Sequence, residues 1–339
     1  MNERYSRQIL FAGIGAEGQR RIGAASALVM GCGALGSAQV ESLARAGVGR
    51  LRVVDRDFVE ESNLQRQTLF TERDARERLP KAVAAARRVS EINSEIEIDP
   101  IVADARHDNI ERFVEGCDIV LDGTDNFATR YLLNDACVKH DVPWIYGAAV
   151  GSYGVTMTVR PHISPCLRCV FEDVPPAGSA ETCDTAGVIQ PIIAIVAAVQ
   201  TSEALKLLTG HTDDLHGALM QFDVWRNDWR RIKLGKPAPE CPACALSRYE
   251  TLEAEAKDFA AVLCGRNAVQ VSPARASDLD LAALAERLRV VGETKANEYL
   301  VRLSTNGYEL TIFKDARAII RGTDDLAIAR SLYARYVGS

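Results

Sequence analysis

The sequence predicts an α/β fold: a doubly wound parallel sheet, a β extension behind it, and a small α+β region at the C-terminal end. Three observations carry this. A glycine turn, Gly31-Cys32-Gly33-Ala34-Leu35-Gly36, joins an apolar run to a helical pattern. Strand-like and helix-like segments alternate through the first half, the rhythm of a parallel sheet with helices on its faces. Two Cys-x-x-Cys pairs, Cys166/Cys169 and Cys241/Cys244, bracket the region behind that sheet.

Taken in order, residues 26–30 form the first strand, and 34–46 carry a helical pattern directly after the turn. The next strand covers 51–55, an Ala-rich helix 81–92, and further strands 96–102 and 118–122. A helix over 127–140 and a strand over 143–146 complete a Rossmann-like unit, whose ligand is expected beyond the carboxyl ends of the strands. Residues 151–161 read as an added strand and 188–208 as a long apolar helix. Between them, 172–187 is too rich in Pro, Gly and Ser for either, and long loops in compact domains tend to be functional or disordered. The pattern divides the chain at 245. Residues 246–339 hold neither glycine turn nor paired cysteines. They read as strands over 269–272, 299–303, 310–313 and 318–321 with helices over 279–288 and 324–336, a small α+β domain of ferredoxin-like type. Thr323-Asp324-Asp325 supplies the N-cap of the last helix.

Two residues between paired cysteines let both sulfurs converge on one ion, so Cys166, Cys169, Cys241 and Cys244 match the ligand count of a closed structural Zn2+ site. Four unrelated buried cysteines are the plainer alternative. The 339 residues allow about two domains, and a formal net charge of -6 gives no general support for nucleic-acid binding. No run of about 18 uninterrupted apolar residues and no signal-peptide core is present, so no membrane is expected and the setting reads as cytoplasmic. In a reducing compartment, Cys32, Cys117, Cys137 and Cys264 are most simply core residues.

The glycine turn lets backbone approach a phosphate at a helix N-terminus, and Asp55 at the end of the second strand offers ribose hydroxyls an acceptor. That much equally suits a dinucleotide oxidoreductase. The discriminating segment comes next in the chain: Asp57, Ser62-Asn63-Leu64-Gln65-Arg66-Gln67, then Lys81. A polar Asn-x-x-Arg-Gln cluster with a lysine suits attack on a nucleoside triphosphate, where cations offset charge building on phosphates. A solvated loop and a surface lysine are the plainer readings. Asp125, where a strand enters a helix, is placed to hold Mg2+ or, as the alternative, to cap the helix.

Arg4-Tyr5-Ser6-Arg7-Gln8, the glycine turn, Asp55-x-Asp57-x-Val59-x-x-Ser62-Asn63-Leu64-Gln65-Arg66-Gln67, Lys81, Thr124-Asp125-Asn126, the cysteine pairs and Thr182-Cys183-x-x-Ala186-Gly187 together resemble the ThiF/MoeB/HesA family. These are ancestral relatives of ubiquitin-activating enzymes. The resemblance spans roughly residues 3–245 and implies ATP-dependent adenylation of the C-terminal glycine of a small ubiquitin-like sulfur carrier ending in Gly-Gly, by a homodimer. In the ThiF branch the carrier is ThiS, for thiamine thiazole; in the MoeB branch it is MoaD, for molybdopterin.

Carried over, Gly31, Gly33, Ala34 and Gly36 would cradle phosphate, and Asp55 would hold the ribose. Asn63, Arg66 and Lys81 would grip the triphosphate and the attacking carboxylate, with Asp57, Ser62, Gln67 and Asn126 in the same nucleotide-binding set. Asp125 would bind Mg2+, and Arg7 would reach the nucleotide across the dimer interface. Ala34 stands where some members have glycine. Cys183 matches the family cysteine able to form a thioester or acyl-disulfide with the carrier, served by a persulfide donor such as a cysteine desulfurase; a loop cysteine without a catalytic task is the alternative. No enzyme base is required, and His107, His140, His162, His211 and His216 fall in no triad pattern. Leu263-Cys264-Gly265-Arg266 with Ala318-x-Ile320-x-Gly322-Thr323 is similar to the extension of longer ThiF-type adenylyltransferases, which favours the ThiF branch. An NAD-dependent oxidoreductase and a non-catalytic carrier-binding scaffold are the competing classes.

Overall fold

The structure, a computed structural model, describes residues 3–172, 186–253, 259–263, 267–273 and 278–338. The chain divides into two compact units, Met1–Ala254 and Glu255–Ser339. The first therefore runs past residue 245: Tyr249 and Leu252 pack on its core, and Thr251 donates to the Asp135 carboxylate at 2.7 Å.

The first unit is built on an eight-stranded sheet: β1 (Ser26–Met30), β2 (Arg50–Asp55), β3 (Glu97–Val102), β4 (Ile119–Asp122), β5 (Trp144–Val150), β6 (Tyr153–Val159), β7 (Ala218–Asp223) and β8 (Asp228–Lys233). Their spatial order is β3-β2-β1-β4-β5-β6-β7-β8. The five strands from β3 to β5 are parallel, with β1 buried between β2 and β4; from β5 onward every pairing is antiparallel. Pro100, which lacks a donor, sits in β3 at the edge, where a ladder bond is dispensable. The order reverses between β1 and β4, and such a reversal opens a crevice at the carboxyl ends of the strands.

The strand expected over 143–146 continues to Val150 and turns back into β6, whose observed extent is Tyr153–Val159. The long helix is Gln190–Thr209, started by Pro191 and stopped by Gly210 in the left-handed conformation. By length and composition it could cross a membrane, yet half of its apolar window is buried. It packs on the helix Ala34–Ala46 and on β4, β5 and β6. It is a core helix, and Gln200 and Glu203 lie buried within it.

The second unit carries six strands: β9 (Phe259–Leu263), β10 (Ala268–Ser272), β11 (Glu293–Ala296), β12 (Leu300–Thr305), β13 (Tyr308–Phe313) and β14 (Ala318–Arg321). All their pairings are antiparallel, in the order β11-β12-β13-β14-β10-β9. This corrects the ferredoxin-like expectation, whose split βαβ units interleave strands distant in sequence; here β11 to β14 follow one another as a meander and β9 pairs with β10. Asn306-Gly307, both at positive φ, build a tight hairpin instead. The helices Leu281–Leu288 and Leu326–Tyr336 are capped by Asp280 and Asp325 and close one core with the sheet.

Candidate nucleotide site and cysteine cluster

Three glycines bring β1 and β4 together at the reversal. A Cβ on Gly36 would stand 1.8 Å from the Gly31 carbonyl oxygen, and one on Gly123 only 2.3 Å from the same atom. Gly31 itself has φ +85, and its N–H donates to Val54 O at 2.8 Å, while Gly123 N–H donates to Met30 O at 2.8 Å. No side chain fits here, so the turn lies flat against the β4 loop. The helix Ala34–Ala46 starts immediately after Gly33 with its first-turn N–H groups lacking intrahelical partners, the usual condition for receiving an anion. Ala34 at the first helical position leaves that geometry intact.

Asp55 closes β2 beside this turn. Its Oδ2 accepts the Cys32 N–H at 2.6 Å and its Oδ1 the Asp57 N–H at 2.7 Å. Burial pushes its carboxyl above the ordinary range, and the nearby Lys81 charge works against that push. Lys81 opens the helix Lys81–Ile92 after Pro80 and is 6% exposed. Its Nζ lies 3.4 Å from Asp57 Oδ2, and its N–H donates to Asp57 O at 2.9 Å. An ammonium is thus held inside the crevice next to two carboxylates.

The Ser-Asn-Leu-Gln-Arg-Gln run is a single tight turn. Glu60 and Asn63 form a reciprocal capping box around Glu61–Asn63, with Glu60 N–H donating to Asn63 Oδ1 at 3.1 Å. Asn63 O then accepts the N–H groups of Arg66 and Gln67. Ser62 is exposed, and its carbonyl accepts Arg66 NH1 at 2.9 Å. Gln67 is buried, with its Nε2 4.0 Å from where a Gly33 Cβ would stand, and its Oε1 has no hydrogen-bond partner among the described residues. An orphaned buried carbonyl oxygen near a phosphate-type turn fits a ligand that brings a hydrogen-bond donor there.

The β4 loop presents Asp125 exposed. The helix Phe127–Lys139 is capped by Asn126, whose Oδ1 accepts the Thr129 N–H at 2.9 Å. Capping therefore falls to Asn126, not to Asp125, and the Asp125 carboxylate stays available. A buried pair missing from the sequence reading holds this loop from below. Arg130 Nε lies 3.2 Å from Asp122 Oδ2, and its NH2 donates to the carbonyls of Thr124 (2.7 Å) and Gly147 (3.2 Å). Its spacing in Thr124-Asp125-Asn126-x-x-x-Arg130 was the available signal.

Arg7 is exposed on the short helix Ser6–Leu10. That helix lies at the far end of Ala34–Ala46 from the glycine turn, since Gln8 Nε2 donates to Ala46 O at 2.9 Å. Thirteen residues of helix put Arg7 roughly 18 Å from the turn of its own chain. Cys183 and Cys264 lie outside the described residues. His140 pairs with Glu111, His162 with the Cys244 carbonyl, His211 with Thr209, and His216 with Glu203; these are structural contacts.

The four paired cysteines converge. All their sulfurs lie within 4.8 Å of one another, with Cys166–Cys169 at 3.9 Å, Cys166–Cys241 at 3.6 Å and Cys169–Cys244 at 3.4 Å. A tetrahedron with metal–sulfur bonds of ~2.3 Å has edges of ~3.8 Å, so the cluster is compatible with zinc. Four neighbouring thiolates repel, and only a cation lets all ionise. The hydrogen bond with Cys169 and burial push Cys166 up; burial and Cys169 push Cys244 up to about 12. The hydrogen bond from Cys166 brings Cys169 down to about 4, helped by the Ala238 N–H, 3.4 Å from its sulfur.

Sequence and fold comparisons agree with this geometry. The sequence model of the ThiF family matches residues 5–243. A sulfur carrier protein ThiS adenylyltransferase of Bacillus subtilis is 45% identical over 340 residues, covering 100% of both chains. A sulfur carrier protein adenylyltransferase of Thermus thermophilus is 36% identical over 78% of this chain and 96% of its own. Among solved structures, E. coli MccB with ATP shares the fold at a TM-score of 0.63 and 22% identity, over 72% of this chain and 74% of that one. The chain belongs to the ThiF family.

Proposed function

We propose that this protein adenylates the C-terminal glycine of a ubiquitin-like sulfur carrier of the ThiS type, consuming ATP and releasing pyrophosphate in the service of thiamine thiazole sulfur transfer. The observation that carries the reading is the buried Lys81 ammonium, held by Asp57 next to Asp55 and the glycine turn. A nicotinamide site has no need of a buried cation there; a triphosphate does. The full-length similarity to a ThiS adenylyltransferase supports the choice of carrier.

The carrier's carboxylate oxygen attacks the α-phosphorus, the bond to the β-phosphate oxygen breaks, and pyrophosphate leaves. The nucleophile arrives ionised, so no enzyme base takes part. Asp55 would receive the ribose hydroxyls, and the glycine turn, with Gln67 near it, the phosphates. Lys81 and Arg66 would offset charge on the phosphates, and Asn63 would help to grip the triphosphate. Asp125 would hold Mg2+, which neutralises the leaving pyrophosphate. Cys166, Cys169, Cys241 and Cys244 would hold zinc as a staple with no part in the chemistry. The reading includes a homodimer: Arg7 stands at the far end of the helix Ala34–Ala46 from its own chain's turn, and the partner's Arg7 would complete each site. Cys183 would take part in sulfur transfer from a persulfide donor such as a cysteine desulfurase, in the cytoplasm.

Exchange of labelled pyrophosphate into ATP, dependent on a carrier ending in Gly-Gly, tests the reading. Exchange with a ThiS-type carrier is expected. Preference for a MoaD-type carrier redirects the pathway, and no exchange with either overturns the activity.

A further inference from the structure

The crevice holds a second cation to which the proposed adenylation gives no task. Arg56 follows Asp55 at the end of β2, and its NH1 lies 3.1 Å from Asp104 Oδ1, just beyond the end of β3; its Nε is 4.0 Å from Asp57 Oδ1. Burial opposes its charge, but Asp104, Asp57 and Asp125 outweigh that and keep the guanidinium firmly protonated. Both strand ends are fixed. Ala103 N–H donates to Asp55 O at 3.2 Å, and Asn109 Nδ2 donates to Asp104 O at 2.9 Å. Asn109 Oδ1 in turn accepts the Arg106 N–H at 2.8 Å. The chain after β3 is thus folded into a rigid support for one carboxylate, and that carboxylate faces Arg56.

Placement gives this pair a use. With phosphates on the glycine turn at β1 and the ribose at Asp55 on β2, the base of a bound nucleotide extends away from the phosphates, towards the end of β3. Arg56 and Asp104 stand there. A guanidinium plane stacks on aromatic faces, which a point-charge ammonium does less well. We infer that Arg56, held in place by Asp104, forms a wall of the purine pocket and contributes to nucleotide affinity, with Asp104 as its positioning residue. This rests on the adenylation reading.

Calorimetric binding of ATP to the full chain, alongside pyrophosphate exchange, separates the two claims. Arg56→Ala and Arg56→Lys are expected to weaken ATP binding and raise the KM for ATP about tenfold, with kcat changed by less than about twofold. Asp104→Asn should give the same split in milder form, because Arg56 remains but is less fixed. Unchanged ATP affinity in Arg56→Ala overturns the inference, while ATP binding by the unsubstituted protein leaves the broader reading standing. A fall in kcat at unchanged KM also overturns it, since Arg56 would then act on the phosphates. Failure of the unsubstituted chain to bind ATP removes both. Circular dichroism and melting of Arg56→Lys confirm that the variant compared is folded.

Discussion

Gln39 and Gln200 meet amide to amide inside the core, Gln39 Nε2 to Gln200 Oε1 at 2.6 Å, and both donate to the carbonyl of Asp122, at 2.9 and 3.0 Å. Gln200 also donates to Ile145 O at 3.0 Å. Two helices thereby grip the last residue of β4, immediately below the loop that carries Asp125. Gln200→Leu strips the Ile145 carbonyl and the Gln39 amide of a partner, and the substitution should cost about 2–3 kcal/mol. Chemical denaturation reads the loss directly; a change under about 0.5 kcal/mol would show that the amides are not coupled to stability.

Arg66 and Asp125 are tied to the fold only lightly, Arg66 through one bond to Ser62 O. Arg66→Ala and Asp125→Ala should each lower pyrophosphate exchange by at least ~100-fold while the melting temperature stays close to that of the parent, because one lost charge contact at reacting phosphates typically costs ~3 kcal/mol. Near-parental rates in either variant remove that residue from the site.

For the cysteine cluster, elemental analysis of freshly purified, unchelated protein should give one zinc per chain. Cys169→Ala should lower thermal stability more than it lowers the rate of exchange in the fraction that stays folded. Protein without zinc, or a Cys169→Ala variant of unchanged stability, contradicts a structural metal.

Cys183→Ser should form carrier adenylate at an unchanged rate, since the attacking group belongs to the carrier. What disappears is a reducible enzyme–carrier conjugate on supply of a persulfide donor. Intact-protein mass spectrometry with and without reductant tracks both steps. A persisting conjugate assigns it to another cysteine.

His216 sets an acid limit on stability. Burial pushes its pKa below the ordinary 6.5, against the pull of Glu203. The unfolded chain therefore takes up this proton first as pH falls, so the native state loses stability below about 6.5 and regains it above. Melting temperatures between pH 7.5 and 5.5 should fall more steeply in the parent than in His216→Gln; parallel curves would acquit this residue.

Much of the fold and the site was legible in the sequence because it is local. Glycine spacing, the Asp55-to-Gln67 run and the cysteine pairs each encode a short-range geometry, and the turn and the sulfur cluster formed as read. β8 was not legible: Asp228-Trp229-Arg230-Arg231-Ile232-Lys233 is an edge strand with Trp229 56% and Ile232 44% exposed, so it shows no apolar alternation. Nor were Asp122, Arg130, Gln39 and Gln200, polar residues in apolar surroundings whose burial depends on partners up to 161 positions away. Asn126 and Asp125 are adjacent and both suited to capping; only the backbone conformation chose between them.

The cysteine cluster also alters how the chain is wired. Cys166 meets Cys241, and Cys169 meets Cys244, across 75 positions each, a span that contains the long core helix, β7 and β8. With a metal on the four sulfurs, that span becomes a closed ring. A single protease cut inside it would leave two polypeptides on a denaturing gel but one particle in solution, riveted by the metal in addition to the β6–β7 pairing and the packing of the core helix, so that a chelator added to the nicked protein would lower the denaturant needed to part the pieces.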